Sequence, residues 1–360
     1  MFIIPFRKFF IYLLLIGCVS LQAQTARKYS NEFMNIGVDG AAFGMANSIV
    51  ASTNNVNAAY WNPAGLMQLK GQEGALMHAA YFANIANYDY AAFAMPIDDK
   101  SAFALSLIRF GVDDIMNTTE LIDKNGNIDY NRISLFSTAD YGFTFSYARE
   151  TPIENLHFGA NAKIIRRIIG KFADSWGFGF DLGVQYKKED WHFGLMVRDI
   201  TTTFNTWSID QKRLEDIQDA VEGENQEVPE STEITLPKVQ LGIARNFVFN
   251  DDFNLLTEAN IHMRFTETND IVSSSFASFT PSVGLQLSYT DLVFVRAGIG
   301  NFQDELQIDG RERVSFQPNI GIGFHYKGIS IDYALTDIVD QSAALYSNVF
   351  SLRLDLSIFK

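Results

Sequence analysis

The 360-residue chain lacks several features that define whole classes of protein. It has a single cysteine, Cys18, which excludes an intramolecular disulfide framework. It has no Gly-x-Ser-x-Gly elbow and no phosphate-binding loop, and its histidines are scattered without metal-ligand spacing. The histidines are His78, His157, His192, His262 and His325. The sequence therefore predicts a non-enzymatic protein with no cofactor and no metal.

Basic charge and long apolar runs are also scarce. The chain has 28 Lys and Arg against 42 Asp and Glu, which gives a net charge of −14. This balance argues against a nucleic-acid partner, because phosphates require clustered Lys and Arg. Beyond the N-terminus no apolar run reaches the ~18 residues that a membrane helix needs.

The N-terminus has the pattern of an export signal. Arg7 and Lys8 form a basic region, an apolar stretch follows over 9–19, and cleavage is plausible near Ala23 or Gln24. Residues 1–23 are therefore predicted to be a signal peptide. The segment 15–18 also resembles a bacterial lipobox, which would make Cys18 a lipidated N-terminus, and this alternative stays open.

The C-terminal segment 349–359 alternates strictly between apolar and polar residues. One face carries Phe350, Leu352, Leu354, Leu356 and Ile358, and the other carries Ser351, Arg353, Asp355 and Ser357. A soluble sandwich would pack such an apolar face on a second sheet. Behind a secretory signal, the recurring pattern favours a lipid-facing exterior and a polar lumen.

The same alternation predicts about fourteen strands along the chain. They lie near 72–82, 88–97, 101–111, 139–149, 156–169, 175–188, 191–200, 237–248, 253–265, 281–290, 291–300, 315–327, 329–336 and 347–359. Tight connections mostly alternate with long ones, among them 112–138 and 201–236, as periplasmic turns alternate with extracellular loops. The fold class is therefore all-β: a transmembrane antiparallel barrel over 71–360, located in the cell outer membrane among its lipids.

Strand parity assigns a set of charged and polar side chains to the lumen. They are Lys163, Arg167, Asp181, Glu258, His262, Arg264, Arg296, Asp332, Arg353 and Asp355. Opposite charges in this set should pair across strands, because an unpaired buried charge is costly. The set could seat a plug, or it could form a conduit for a charged solute.

Residues 24–70 lack the strand alternation and contain many small residues, which indicates a compact hatch segment with a short helix near 40–49. The segment Asn62-Pro63-Ala64-Gly65-Leu66 should form a rigid turn: proline fixes φ, asparagine can bond its own backbone, and glycine can adopt positive φ. Within 57–66, Asn-Ala-Ala-Tyr-Trp-Asn-Pro-Ala-Gly-Leu resembles the hatch signature of FadL-like barrels. The segments 33–46, 139–143 and 331–334 resemble more narrowly the PorV/PorQ family of Bacteroidota outer-membrane proteins.

That resemblance implies a plugged barrel that serves the type IX secretion system. Its implied partners are a large translocon barrel and secreted cargo with C-terminal signal domains, which such a protein would carry to a surface attachment complex. The alternative is a FadL-like transporter of hydrophobic small molecules. A continuous apolar pocket between the loops and the hatch would favour the transporter, whereas strand parity predicts a mainly polar, glycine-rich lumen.

The long loops are candidate contact surfaces for a partner. Segment 201–236 contains nine acidic residues and a possible helix over 210–220, with apolar anchors at Phe204, Trp207, Leu214 and Ile217. A solvated arm without a partner is the alternative. In the other loop, 123–129 does not match a calcium-binding EF-hand, because the glycine is misplaced and the closing glutamate is absent. Asn125-Gly126 instead predicts a hairpin tip.

Overall fold

A computed structural model describes residues 30–81, 85–122, 126–211, 232–306, 310–336 and 347–359. Within these ranges the chain forms seventeen strands. Their bounds are β1 Glu73–Tyr81, β2 Ala86–Asp98, β3 Ser101–Asn117, β4 Ser134–Glu150, β5 Leu156–Ile169, β6 Ala173–Lys188, β7 Trp191–Arg198, β8 Thr203–Ile209, β9 Thr232–Thr235, β10 Lys238–Val248, β11 Phe253–Arg264, β12 Val272–Ser273, β13 Ser278–Tyr289, β14 Val293–Leu306, β15 Glu312–Tyr326, β16 Ile329–Thr336 and β17 Ser347–Asp355.

Fourteen of these strands form one closed antiparallel barrel. Each pairs with the next in chain order, except that β7 pairs with β10 and β11 with β13. The barrel closes where β17 pairs with β1, with Glu73 opposite Asp355 and Ala80 opposite Asn348. Closure gives the backbone N–H and C=O groups of every strand edge a hydrogen-bond partner, because lipid cannot supply one. The predicted fold class and strand number are confirmed.

The three other strands extend or cover the wall on the long-loop side. β8 pairs with both β6 and β9, so it prolongs β7 toward the long loops after a break at 199–202. β9 prolongs β10 in the same direction. The prediction that 201–236 is wholly a loop was wrong, because two stretches of it prolong the wall. The predicted helix over 210–220 lies almost entirely outside the described residues.

Several strands also end elsewhere than alternation predicted. The hairpin of β3 and β4 reaches Asn117 and Ser134, so the loop after β3 is shorter than 112–138. Register shifts at Val112 and Ile115 let this hairpin continue past the point where alternation breaks. At the C-terminus the strand stops at Asp355, and 356–359 form a 3-10 turn instead.

The N-terminal segment folds inside the barrel. It contains a 3-10 helix at Glu32–Asn35, helix α1 at Gly40–Gly44, helix α2 at Ala58–Trp61 and a second 3-10 helix at Pro63–Gln68. The predicted helix near 40–49 is present but only five residues long. No helix in the described ranges is long and apolar enough to span a membrane.

One sector of the lumen is apolar and packs against this segment. Strands β1 to β3 present Ala79, Tyr88 and Ile108 inward, and all three are buried against the hatch core around Trp61 and Leu66. Burial of apolar surface is the main stabilising contribution to such a contact. Parity predicted a mainly polar lumen, but the polar lining is concentrated on the opposite sector.

Candidate functional site

Asn62 of the predicted hatch motif fastens the hatch to the wall. Its side chain is fully buried, and its Nδ2 donates to Val184 O at 3.0 Å and Leu195 O at 3.4 Å, on β6 and β7. The same atom donates to Val50 O within the hatch at 3.0 Å, while Oδ1 accepts from Ala64 N. One amide therefore joins two hatch segments and two strands.

The remainder of the motif, Pro63 to Leu66, forms the second 3-10 helix, with Pro63 in its first turn and Ala64 and Leu66 fully buried. Gly65 was expected to adopt positive φ, but it does not. It is required for another reason: a Cβ there would collide with Thr53 O. Glycine at this position permits the close approach of two hatch segments.

Lumen-facing glycines give the hatch its seat. An added Cβ would lie 2.5 Å from Val50 O at Gly194, 2.5 Å from Ala64 N at Gly159 and 2.6 Å from Met45 O at Gly284. Real Cβ atoms do not approach so closely, so any larger residue would displace the hatch backbone. The glycines are distributed over β5, β7 and β13, so they mark the contact around the barrel.

Glu258 on β11 is the most unusual member of the lumen set. It is buried, and its carboxylate accepts hydrogen bonds from Ala51 N at 2.7 Å, Ser52 N at 3.1 Å and Ser52 Oγ at 2.5 Å. No Lys or Arg pairs with it among the described residues. The prediction of cross-strand charge pairing does not hold here, because backbone N–H groups of the hatch take the place of a cation.

Lys163 and Asp181 pair as predicted, and a third group joins them. Lys163 Nζ lies 2.7 Å from Asp181 Oδ1 and 2.5 Å from Asp199 Oδ1, and all three side chains are buried. Asp199 adopts φ 54° at the break between β7 and β8, and it also accepts from Thr203 Oγ1. Sequence analysis missed Asp199, although the interruption of alternation over 199–202 marks the position.

Arg198, also missed by parity, connects the wall to helix α2. Its Nη2 donates to Tyr60 O at 2.8 Å, its Nε donates to Gln240 Oε1 at 3.1 Å, and its guanidinium stacks 4.4 Å over the Tyr60 ring. Burial raises the pKa of the Tyr60 hydroxyl, which therefore stays protonated and donates to Met34 O at 2.9 Å. This contact holds the hatch from its extracellular side.

A cavity of about 460 Å³ lies between the hatch and the long loops, and we call it the outer chamber. Its aromatic lining comes from Phe43, Tyr60, Trp61 and Tyr81. Its basic lining comes from Arg198, Lys238 and Arg264. His262 also lines it, and its Nδ1 lies 2.9 Å from Gln240 Nε2. Lys238 is neutralised in part by Glu32 of the hatch at 2.7 Å. The chamber thus combines apolar surface with positive charge.

A second cavity of about 600 Å³, the inner chamber, lies on the side of the tight turns. It contains the predicted lumen residues Arg296, Asp332, Arg353 and Asp355. Arg296 Nη1 pairs with Asp332 Oδ1 at 2.7 Å, and Arg353 lies 3.8 Å from Glu73. The hatch separates the two chambers, so the lumen contains no single open conduit within the described residues.

The predicted contact residues of the acidic loop divide into two groups. Phe204 on β8 is exposed on the outside of the prolonged wall. Trp207 lies under the Arg167 guanidinium at 5.2 Å, and Arg167 pairs with Asp140 at 3.0 Å and Glu233 at 3.3 Å. Leu214 and Ile217 fall outside the described residues, as does Asn125 of the predicted hairpin tip, while Gly126 beside it adopts φ 81°.

Possible metal ligands do not cluster in the part of the chain that the structure describes. No group of three His, Cys, Asp or Glu side chains there could hold a metal ion.

The fold is similar to several solved outer-membrane channels. The toluene transporter TodX of Pseudomonas putida matches with a TM-score of 0.56 at 12% identity, over 89% of this chain and 98% of that one. The toluene transporter TbuX of Ralstonia pickettii gives 0.53 at 12% identity, with coverage of 89% and 98%. A FadL homologue of Pseudomonas aeruginosa gives 0.50 at 14% identity, with coverage of 88% and 98%. No family model and no curated protein matches the sequence.

These likenesses and the closed fourteen-stranded barrel define the class of protein. The chain has the FadL-like outer-membrane β-barrel fold, and its location is the cell outer membrane. At 12–14% identity the comparison establishes the fold alone.

Proposed function

We propose that this protein is a non-enzymatic outer-membrane channel that admits small molecules with an apolar body, bound first in the outer chamber. The observation that carries the proposal is the lining of that chamber. Trp61 and Tyr60 offer apolar contact on the hatch itself, and Arg198 and Arg264 offer charge to a polar or anionic end. Ligand sites in proteins commonly combine apolar walls with a few convergent polar groups.

The seating of the hatch also supports passage. It is held by hydrogen bonds and close packing at Asn62, Glu258 and the lumen glycines, and its covalent link to the wall is the chain itself, which continues into β1. A ligand that binds the barrel more tightly when the hatch is displaced than when it is seated can break such contacts, and they can reform when the ligand leaves. Among the solved structures with this fold, TodX and TbuX are described as toluene transporters and CymD as a monoaromatic hydrocarbon channel, which favours the same class of cargo.

A binding experiment on the purified barrel tests the chamber. Tritium-labelled toluene and a labelled long-chain alkyl carboxylate serve as probes in mild detergent. Thr280 lines the chamber, so Thr280→Trp should fill it and abolish saturable binding. Thr257→Trp on the neighbouring strand β11, four positions before outward-facing Ile261 and so on the same face of the strand, is the matched control and should bind as wild type. Equal binding by both variants would contradict the proposed site.

A component of the type IX secretion machinery is the second candidate. Two observations favour it: the resemblance of 33–46, 139–143 and 331–334 to the PorV/PorQ family, and the division of the lumen into two chambers in place of one continuous apolar pocket. In this role the wall and loops would dock a translocon barrel, or carry secreted cargo that has a C-terminal signal domain.

A mild-detergent pull-down of the tagged protein from its native outer membrane distinguishes the two candidates. Near-stoichiometric recovery of a large barrel or of surface-anchored cargo would support the secretion role. A barrel recovered alone, with a hydrophobic small molecule bound, would support the channel.

A further inference from the structure

The outer wall from β17 to β4 presents its side chains to lipid in rows set by the sheet register. The second outward row from the extracellular end of the β1–β2 hairpin consists of Phe350, His78, Asp89, Arg109 and Tyr141. The row directly below it consists of Leu352, Leu76, Ala91, Leu107 and Phe143. A polar row thus lies immediately above an apolar one on the lipid-facing surface.

The polar row is a connected ionic cluster. His78 Nδ1 lies 2.7 Å from Asp89 Oδ1, and Arg109 lies 3.5 Å from Asp89 and 3.4 Å from Asp113. These side chains project from the outside of the barrel and are 29–56% exposed. The same outward row continues through Arg166 and Trp176 of the next two strands, so the cluster belongs to a polar and aromatic band that can meet a lipid headgroup. On the opposite wall, outward positions of β13 such as Val283, Leu285 and Leu287 carry no charge.

The apolar row below the cluster is hollow. Ala91 faces outward between the larger Leu76 and Leu107, and Gly74 occupies the next outward position on β1. Two adjoining hollows of about 480 and 660 Å³ share Leu76, Ala91, Leu107 and Leu352, and Gly74 lines the smaller one. The larger one reaches up to His78, Asp89 and Arg109. A charged end and an apolar groove are therefore continuous on one surface.

We propose that this surface binds one lipid molecule whose headgroup carries both a phosphate and an ammonium group. One acyl chain lies in the hollow over Ala91 and Gly74. Arg109 and His78 donate to the phosphate, and Asp89 and Asp113 accept from the ammonium. The presence of both signs in the cluster selects a zwitterionic headgroup over an anionic one, since the carboxylates would repel an uncompensated phosphate. The proposal is independent of what passes through the lumen.

Native mass spectrometry of the detergent-solubilised protein tests this site. Phosphatidylethanolamine and phosphatidylglycerol with identical acyl chains are the probes. Wild type should retain one phosphatidylethanolamine per chain and bind phosphatidylglycerol at least about tenfold more weakly. Ala91→Phe should fill the hollow and weaken phosphatidylethanolamine binding by at least about tenfold, and Asp89→Asn should remove the preference between the two lipids.

Ala297→Phe is the matched control, because Ala297 also faces outward, on β14, between Leu285 and Ile320. Heat-dependent migration on a gel verifies that each variant is folded. The control should bind lipid as wild type does. Unchanged retention by Ala91→Phe, equal loss in Ala297→Phe, equal binding of the two lipids by wild type, or a protein found stoichiometrically in place of lipid would each overturn the proposal.

Discussion

Replacing a seat glycine by alanine should release the hatch without unfolding the barrel. At Gly194 the added Cβ would lie 2.5 Å from Val50 O and 2.7 Å from Ala51 Cα, both hatch backbone atoms that cannot rotate away. Overpacking of this kind costs about 1–3 kcal/mol. A cost of about 2 kcal/mol, borne by the seated state alone, raises the population of displaced hatch about thirtyfold.

Cysteine accessibility measures that population. The chain's single cysteine, Cys18, is replaced by serine, and Val56, which is fully buried in the hatch core, is replaced by cysteine. When local opening is fast, the rate of maleimide labelling is proportional to the open fraction. Gly194→Ala should therefore accelerate labelling about thirtyfold, and adding Gly159→Ala should accelerate it further.

The control is Gly74→Ala on the outside of β1, where the nearest heavy atom to a new Cβ is 3.9 Å away. It should label at the wild-type rate, and all variants should keep the heat-dependent migration of a folded barrel. If Gly194→Ala labels no faster than Gly74→Ala, the hatch is not held by close contact at the glycines, and the reasoning is refuted.

Three further predictions concern buried charge and the chamber. Lys163→Met should destabilise the barrel by about 3–5 kcal/mol, because it leaves two facing carboxylates without their cation. Lys171→Met, at an exposed site, should not destabilise it, and urea unfolding measures both variants. Glu258→Ala should cost about 1–3 kcal/mol for each hatch donor left unpaired, and labelling at position 56 should accelerate, with an unchanged rate contradicting the role of the carboxylate. Arg264→Ala should weaken binding of an alkyl carboxylate in the outer chamber but not binding of toluene, and equal effects on both probes would show that charge is not used there.

The barrel was predictable from sequence because alternation is a local signal. Strands such as β5 and β16 begin and end where period-two alternation predicted, since each residue there faces either lipid or lumen. The prolonged strands β8 and β9 were missed because breaks in alternation separate them from the main wall strands: β8 follows the break at 199–202, and β9 precedes the one at Pro237. Periodicity alone carries no information about short strands that such a break separates from the wall strand they prolong.

The lumen was only half predictable, for a different reason. Parity correctly directed Lys163, Arg296 and Asp332 inward, and their pairing follows from charge. It could not predict that Glu258 accepts from hatch N–H groups, because those donors come from a segment about two hundred positions away in the chain. The hatch contacts depend on tertiary packing, which no local pattern encodes.

The central claim, that this barrel passes small molecules with an apolar body, is tested most directly by uptake. A Gram-negative host that lacks its own FadL-like channels would express wild type, Thr280→Trp or Thr257→Trp, with surface amounts matched. We predict that wild type and Thr257→Trp accelerate uptake of labelled toluene or alkyl carboxylate over the empty host, and that Thr280→Trp does not. Uptake by wild type at the rate of the empty host, with the barrel folded in the outer membrane, would contradict the account.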